Sequence, residues 1–343
     1  MGKKIRLNEI ANELNISPTT VSRALSGTGR VSSKTRQKVL AYAETINYRS
    51  PSQNKFNAKN NQSSRSGNVA IVLSRDLLYE SEFFHLCLLG AASALADHGY
   101  ETLLILCNTN EYEPLKPAVE KGMLDGVIFT RAIAHEKSFS FLKKNRIPVV
   151  VVGSGVKNAL MVDTNTALAC RELSSSMVNS GCRNIAYIGG SMNYNVNAKR
   201  LEGVLMGISD YSIEPNTNLI FRDVVDFESC RIAVENAIQR KADGIICCDD
   251  VTSLWTHEVL TRAGLSVPKD IALASCYDSN DLAHHLPAIT AVHIDARKMG
   301  IDAGEAMFRL LSGTEDRSFI PVEHTIHLRE STRSKAVKRY CHT

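Results

Sequence analysis

From Asn68 onward the chain changes texture, and that change limits the folds open to it. Short apolar runs at 69–73, 101–107, 126–129, 148–152 and 160–162 read as strands, with helical spacing between several of them, as at 83–98 and 114–122. The alternation resumes with runs at 184–188, 219–224, 244–247 and 271–274. Strands that alternate with helices build parallel sheets covered on both faces, because each parallel crossover must return along the sheet and a helix does this while burying an apolar stripe. The 277 residues from 67 to 343 exceed one doubly wound domain and suit two. No short-period repeat is visible in them.

The residues ahead of this region read differently. Leu7, Ile10, Ala11 and Leu14 recur at helical spacing. Asn15-Ile16-Ser17 then forms a turn, with Asn15 able to take a left-handed backbone and Ser17 able to cap a new helix whose first position is Pro18. Val21, Ala24 and Leu25 face inward, which leaves Thr19, Thr20, Ser22 and Arg23 outward as short donors and one long cation. A helix with that face suits a DNA major groove, although an ordinary amphipathic helix pair would show the same spacing. A third helix opens at Ser32 or Ser33, with Val39, Leu40, Ala43 and Ile46 as its apolar face. The charge separates the two readings. Residues 1–66 hold twelve Lys or Arg against three acids, while the whole chain is only +4, so a head at +9 precedes a body at −5. A basic folded head attracts a phosphate backbone, and its binding is salt-dependent.

Ile10-Ala11, Ile16-Ser17, Thr20-Val21-Ser22-Arg23-Ala24-Leu25, Val31-Ser32, Thr35-Arg36, Val39 and Asn47-Tyr48 together resemble the head of the lactose/galactose repressor family of bacterial transcription regulators. The resemblance implies a small all-α helix-turn-helix DNA-binding domain over residues 1–49. It gives Thr19 and Arg23 base-edge roles with Pro18 beside them, and sets Ser17, Thr20 and Ser22 against phosphates. The family usually carries a hinge helix next, with an Ala-x-x-Leu string whose Leu wedges into the minor groove. Here residues 50–67 are rich in Asn and Ser, lack that string, and offer Phe56 as the only sizeable apolar wedge. The alternative is a flexible polar tether with Phe56 on a surface.

For the body the resemblance implies a periplasmic-binding-protein-like pair of doubly wound subdomains, residues 68–163 with 292–321 and residues 164–291 with 322–333, ahead of a short polar tail over 334–343. The crossovers fall near Asp163, Ala291 and Pro321, and an effector sits in the cleft between the halves. Carried over residue by residue, the expected effector contacts are Phe83, Phe84, Asp163, Tyr194, Arg200, Phe227 and Asp250. A polyol needs planar polar partners such as Asp250 and Arg200 together with aromatic faces, and an Arg fork also suits phosphate or carboxylate. The competing readings are local: Asp163 and Asp250 could cap the following helices, and Phe84 could be core. Cys182 in Gly181-Cys182-Arg183-Asn184, Trp255, and Cys276-Tyr277-Asp278 depart from the family's usual residues, so no known effector transfers.

Other chemistries find little support. Nine cysteines without a Cys-x-x-Cys pair read as reduced, buried thiols of a cytoplasmic protein, although adjacent Cys247 and Cys248 also allow a redox switch. The histidines lack metal-ligand spacing, with His293, His324 and His327 expected at solvent or a subdomain interface. No P-loop, Gly-x-Ser-x-Gly or Gly-x-Gly-x-x-Gly is present, no apolar run approaches a membrane span, and no export h-region follows Met1. The expectation is therefore a non-enzymatic repressor with no cofactor and no metal. Its partners are double-stranded operator DNA, a sugar-like effector and a second copy of the chain, since the tail shows no heptads for higher assembly. A solute-binding protein or a sugar-modifying enzyme on the same body fold is the alternative.

Overall fold

The computed structural model describes residues 7–26, 31–45, 65–74, 82–107, 113–131, 136–153, 155–156, 159–315 and 318–333. Phe56, Ile46 and the tail over 334–343 lie outside the described residues. The chain divides into two compact units, Met1–Ser66 with Pro117–Leu124, and Gly67–Lys116 with Asp125–Thr343.

The first unit holds α1 (Leu7–Glu13), α2 (Pro18–Ser26) and α3 (Ser33–Thr45). Their shared core is Ile10, Ala11, Val21, Ala24, Leu25, Val39 and Ala43, with Leu14, Ile16, Val31 and Tyr42 packed around it. Asn15 turns the chain at φ 52°, in the left-handed region that Asn tolerates. Ser17 Oγ accepts the Thr20 N–H at 3.1 Å, and Ser32 Oγ accepts the Thr35 N–H at 3.1 Å, so each helix starts on a hydroxyl cap. One expectation fails. Leu40 is exposed, because a helix that buries Val39 brings Tyr42 and Ala43 to the same face three and four residues on and turns position 40 about 100° away.

The second unit carries two six-stranded sheets. The first is built from β1 (Asn68–Ser74), α4 (Glu82–Asp97), β2 (Glu101–Cys107), β3 (Gly126–Phe129), α6 (Glu136–Lys144), β4 (Val149–Val152) and β5 (Leu160–Thr164), while α5 (Lys116–Glu120), between β2 and β3 in the chain, falls but for its first residue in the Pro117–Leu124 segment of the first unit. The second follows with α7 (Thr166–Asn179), β6 (Ile185–Ile188), α8 (Asn195–Ser209), β7 (Ile220–Phe221), α9 (Phe227–Gln239), β8 (Gly244–Cys247), α10 (Asp250–Arg262), β9 (Ala272–Ser275), α11 (Asn280–His284) and β10 (Thr290–Ile294). Then α12 (Ala296–Ser312) and β11 (Phe319–Val322) return to the first sheet, and β12 (His324–His327) closes the second. The strand orders are β11-β5-β4-β3-β1-β2 and β12-β10-β9-β8-β6-β7. Every pairing is parallel except the antiparallel β10–β12.

The chain thus passes between the sheets three times, at Asn165, Asp295 and Glu323. The second passage comes four residues later than Ala291, because β10 runs on to Ile294 and pairs with β12, so residues 292–294 belong to the second sheet. Asn165 and Asp295 each cap the helix that follows, accepting the Leu168 and Lys298 N–H groups. The change of sheet and the start of the helix are therefore one event, fixed by a single side chain.

Each half contains one close helix pair. In the first, Gly300 of α12 packs against the Cys87 carbonyl of α4, with Gly90 and Gly304 completing the contact. In the second, Gly203 and Gly207 of α8 lie against the Ala167 and Arg171 carbonyls of α7. A Cβ at any of Gly90, Gly203, Gly207 or Gly300 would meet backbone, which cannot yield without moving a helix. Gly300→Val is expected to cost about 1–3 kcal/mol by forcing the pair apart, a melting temperature lower by roughly 2–4 °C per kcal/mol in a scan of the full chain. An unchanged melting temperature would show that the contact is not tight.

Alternation along β8 decides the cysteine question. Cys247 faces the core between the second sheet and α9–α10, 3.2 Å from Thr256 Oγ1. Cys248 faces the opposite core beside α7–α8, its sulfur accepting the Gly190 N–H at 3.2 Å. Burial pushes both thiols well above their usual range. Adjacent residues on opposite faces of a strand cannot pair with each other, so these thiols are packing groups.

Candidate functional site

Two surfaces carry candidate chemistry. On the head, Pro18, Thr19 and Arg23 are exposed on α2, while Thr20 and Ser22 are half-buried. Thr19 and Arg23 are one turn apart and therefore share a face. Ser17 and Thr20 join their hydroxyls at 2.8 Å, so both oxygens are partly committed to the cap.

In the body, strand order fixes where a ligand can sit. Both sheets reverse direction of winding beside their second strand in space, between β1 and β3 and between β6 and β8. Crevices outside the carboxyl ends of parallel strands open at such points. The segments there are Thr130-Arg131 after β3, Gly189-Gly190-Ser191 after β6 and Cys248-Asp249 after β8, and all three reach a cavity of about 440 Å³. That volume falls in the range of small-molecule sites. Thr130 is fastened by its hydroxyl to the Val72 carbonyl at 3.0 Å, which fixes the turn that presents Arg131.

Phe83, Phe84, Asp163, Tyr194 and Arg200 all line this cavity, from four separate stretches of sequence. Phe83 meets Phe84 edge-on at 5.3 Å and Tyr277 edge-on at 5.6 Å, so an aromatic contact joins α4 to the end of β9. Asp163 is next to last in β5 and accepts the Thr164 N–H at 2.9 Å; it does not cap α7, which Asn165 does. Arg200 donates from Nη1 to Asn197 Oδ1 at 3.3 Å, and Asn197 Nδ2 is tied in turn to the Ser191 carbonyl at 2.9 Å.

Two of the expected effector residues are placed elsewhere. Asp250 is buried but is not among the residues lining the cavity; Asp249 is. The reason is the helix start. Asp249 caps α10 through the Thr252 N–H and hydroxyl, at 2.9 and 2.6 Å, so the next residue is already helical and rotated away. Phe227 likewise begins α9 behind the Asp226 capping box and packs edge-on against Trp255 at 6.4 Å, and it is Trp255 that reaches the cavity.

The sequence reading also missed Arg131 and Tyr277. Arg131 lies with its guanidinium carbon 3.2 Å from the Tyr194 ring centre and 5.8 Å from that of Phe84. Burial, with the neighbouring charge of Arg200 adding to it against the pull of Tyr194 and Asp249, lowers its guanidinium to about 10. Its signal was available: it is the second residue after the apolar run 126–129, where a parallel strand ends.

A second cluster appears where the histidines showed no pattern. Asp278, His293 and His327 bring ligand atoms within 4.8 Å of one another. They come from the end of β9 and from β10 and β12, and strand pairing assembles them. Arg329 already grips both Asp278 oxygens at 2.6 Å, His327 Nδ1 lies 2.9 Å from Oδ2, and the two imidazoles stack at 4.5 Å. The carboxylate is satisfied by a guanidinium, which makes this an ion-paired seam holding β12 to the sheet. His324 lies 3.0 Å from Glu172 instead.

Comparison with known proteins follows this division. Residues 6–51 match the model described as bacterial regulatory proteins, lacI family, and residues 175–332 match the periplasmic binding protein-like domain. The HTH-type transcriptional repressor PurR of Pasteurella multocida (strain Pm70) is 24% identical over 341 residues, covering 96% of this chain and 99% of that protein. Catabolite control protein A of Priestia megaterium is 26% identical over 344 residues, with 96% and 99% covered. Among solved structures, the lac repressor dimer bound to operator and the anti-inducer ONPF has a TM-score of 0.70 at 19% identity, covering 97% of this chain and 100% of that one, a shared fold.

Proposed function

We propose that this chain is a member of the lacI family of bacterial regulatory proteins, whose model its head matches, and that it is a transcription regulator, in its simplest form a repressor, whose dimer reads a pseudo-palindromic operator under the control of a small effector. Residues 1–49 are the DNA-binding head, 50–67 the linker, and the two sheet-bearing halves the effector-binding subdomains. The observation that carries the reading is the exposed Thr19–Arg23 face of a capped helix on a closed three-helix core, in a head nine charges positive. A fixed helix can present a side chain to base edges with defined register, whereas a basic tail could hold only phosphates.

In this reading Arg23 and Thr19 contact bases, with Pro18 alongside, and Ser17, Thr20 and Ser22 support the phosphate contacts. The effector, a sugar or sugar derivative, occupies the cavity among Phe83, Phe84, Asp163, Tyr194 and Arg200. It regulates by preferring one arrangement of the two halves, since only differential affinity can shift an equilibrium between arrangements. The protein acts in the cytoplasm, where its buried thiols stay reduced, and among the described residues no helix is long and apolar enough to cross a membrane.

Selection of bound sequences from random DNA by the full chain tests the proposal. The expected product is an inverted repeat, protected on both halves in a footprint. Affinity for it should fall steeply with salt, with a slope of about −0.9 in log–log form for each phosphate neutralised. Enrichment of no sequence would leave only nonspecific attraction and remove the regulator.

A further inference from the structure

The cavity contains more unanswered positive charge than a neutral sugar requires. Arg131 ends the β3 segment of the first half, and Arg200 projects from α8 of the second. Nη1 of Arg131 and Nε of Arg200 are both buried without a hydrogen-bond partner, as is the hydroxyl of Thr164 at the end of β5, which also lines the cavity. The two guanidiniums are near enough to repel each other. Unpartnered buried donors on two cations cost free energy unless a ligand answers them.

Nearby groups do not answer them. Asp249 acts on both arginines, but its oxygens are occupied by the N–H and hydroxyl of Thr252 and by the Cys248 thiol. Asp163, also in the lining, already accepts the Thr164 N–H. Lys199, the third cation of the lining, is paired with Glu202 at 2.7 Å. The thiols of Cys248 and Cys276 flank Arg200 and are held neutral by burial.

We propose that Arg131 and Arg200 form a two-sided clamp for an anionic group of the effector, a phosphoryl or carboxylate carried on a sugar-sized body that packs on the Phe83, Phe84 and Tyr194 rings. This rests on the cavity being the effector site of the regulator described above. Guanidinium donors suit such an oxygen pair, and burial strengthens the attraction. Because the arginines come from different halves of the body, one anion binds to both, and that contact exists only while the halves hold this spacing. The charge on the effector is then what couples ligand to conformation.

The test uses the full-length protein, inorganic phosphate and acetate as probes, and chloride at matched ionic strength as the reference. Calorimetric titration should show saturable binding of at least one of the two anions, accompanied by a higher melting temperature. A phosphate preference identifies a phosphoryl group and an acetate preference a carboxylate. Arg131→Gln and Arg131→Lys should each lower that affinity about tenfold or more, and Lys should recover only part of it, since an ammonium lacks the fork. Lys298→Gln, at an exposed cation outside the cavity lining that is already paired with Asp302, should leave it within about twofold, in line with the small worth of exposed ion pairs. Binding of neither anion by the wild type, or equal affinity in the wild type and Arg131→Gln, overturns the clamp. Operator selection on the same preparations is read separately. Its failure beside intact anion binding would remove the regulator and leave the clamp standing.

Discussion

Arg23→Ala is expected to abolish most of the protein's discrimination between its selected operator and random DNA while leaving its fold untouched. Arg23 is exposed on α2 and shares a face with Thr19, while Val21, Ala24 and Leu25 on the other side of the same helix close the head's core. Removing an exposed side chain there takes nothing from the core, so the melting profile and helix content should be those of the wild type. Binding is different. A bidentate Arg–guanine pair contributes about 1–3 kcal/mol of discrimination, about 5- to 150-fold per half-site, and a two-fold dimer uses it twice. The specificity ratio should therefore collapse further than the affinity for random DNA, which loses only one phosphate-attracting charge per head. Lys34→Ala provides the comparison. It removes the same charge from an exposed position on α3, and should weaken all sequences alike while lowering the salt slope by about 1. Competition binding against the selected operator and a scrambled duplex separates the two effects. An unchanged operator-to-scrambled ratio in Arg23→Ala would remove the base-reading role.

The head was legible in the sequence because everything that shapes it is local. Helical spacing found the buried faces of α1 and α2, the turn residue Asn15 takes the positive φ expected of it, and the Ser17 and Ser32 hydroxyls cap the helices they precede. Leu40 was misplaced because the buried face of α3 runs through Val39, Tyr42 and Ala43 and leaves position 40 about 100° off it, and composition does not say to which side of Val39 the face extends.

In the body, the strands of both parallel sheets announced themselves as continuous apolar runs, as strands buried on both faces must. The last three did not. β12 reads His-Thr-Ile-His, and it belongs to the sheet through antiparallel pairing with β10 and through the Arg329–Asp278 ion pair, both long-range facts. The cavity divides in the same way. Residues within a recognisable string, such as Arg200, were found. Arg131 has no string around it, and only strand order brings it opposite Arg200. Asp249 and Asp250 show the finest limit: two adjacent acids at one strand end, of which the helix cap takes the first and turns the second inward.

That inward turn leads to a second large expected effect, a pH-dependent stability that Asp250→Asn removes. Asp250 is 5% exposed and its Oδ1 has no hydrogen-bond partner. Burial, and after it the charge of Asp249, pushes its carboxyl from an ordinary 3.8 up to about 7. The sign follows from which state holds the proton. In the unfolded chain the group ionises near its ordinary value, and in the folded chain it keeps its proton to near neutrality. Between about pH 4 and pH 7 the folded state therefore binds more protons, so stability is highest at the acid end of that window and falls as the pH rises through it, levelling off above. At about 1.4 kcal/mol per unit, the full loss is about 4 kcal/mol. Asparagine has nearly the same shape and carries no charge at any pH. Wild type and variant should therefore melt close together at pH 4.5, and the variant should melt increasingly above the wild type as the pH approaches 8. Tyr277 shares the cavity wall and feels the Asp250 charge, so ionisation of Asp250 acts behind the aromatic face of the site as well as on the fold. Melting curves of the two proteins that run parallel from pH 4.5 to pH 8 would show that Asp250 titrates as an ordinary carboxylate.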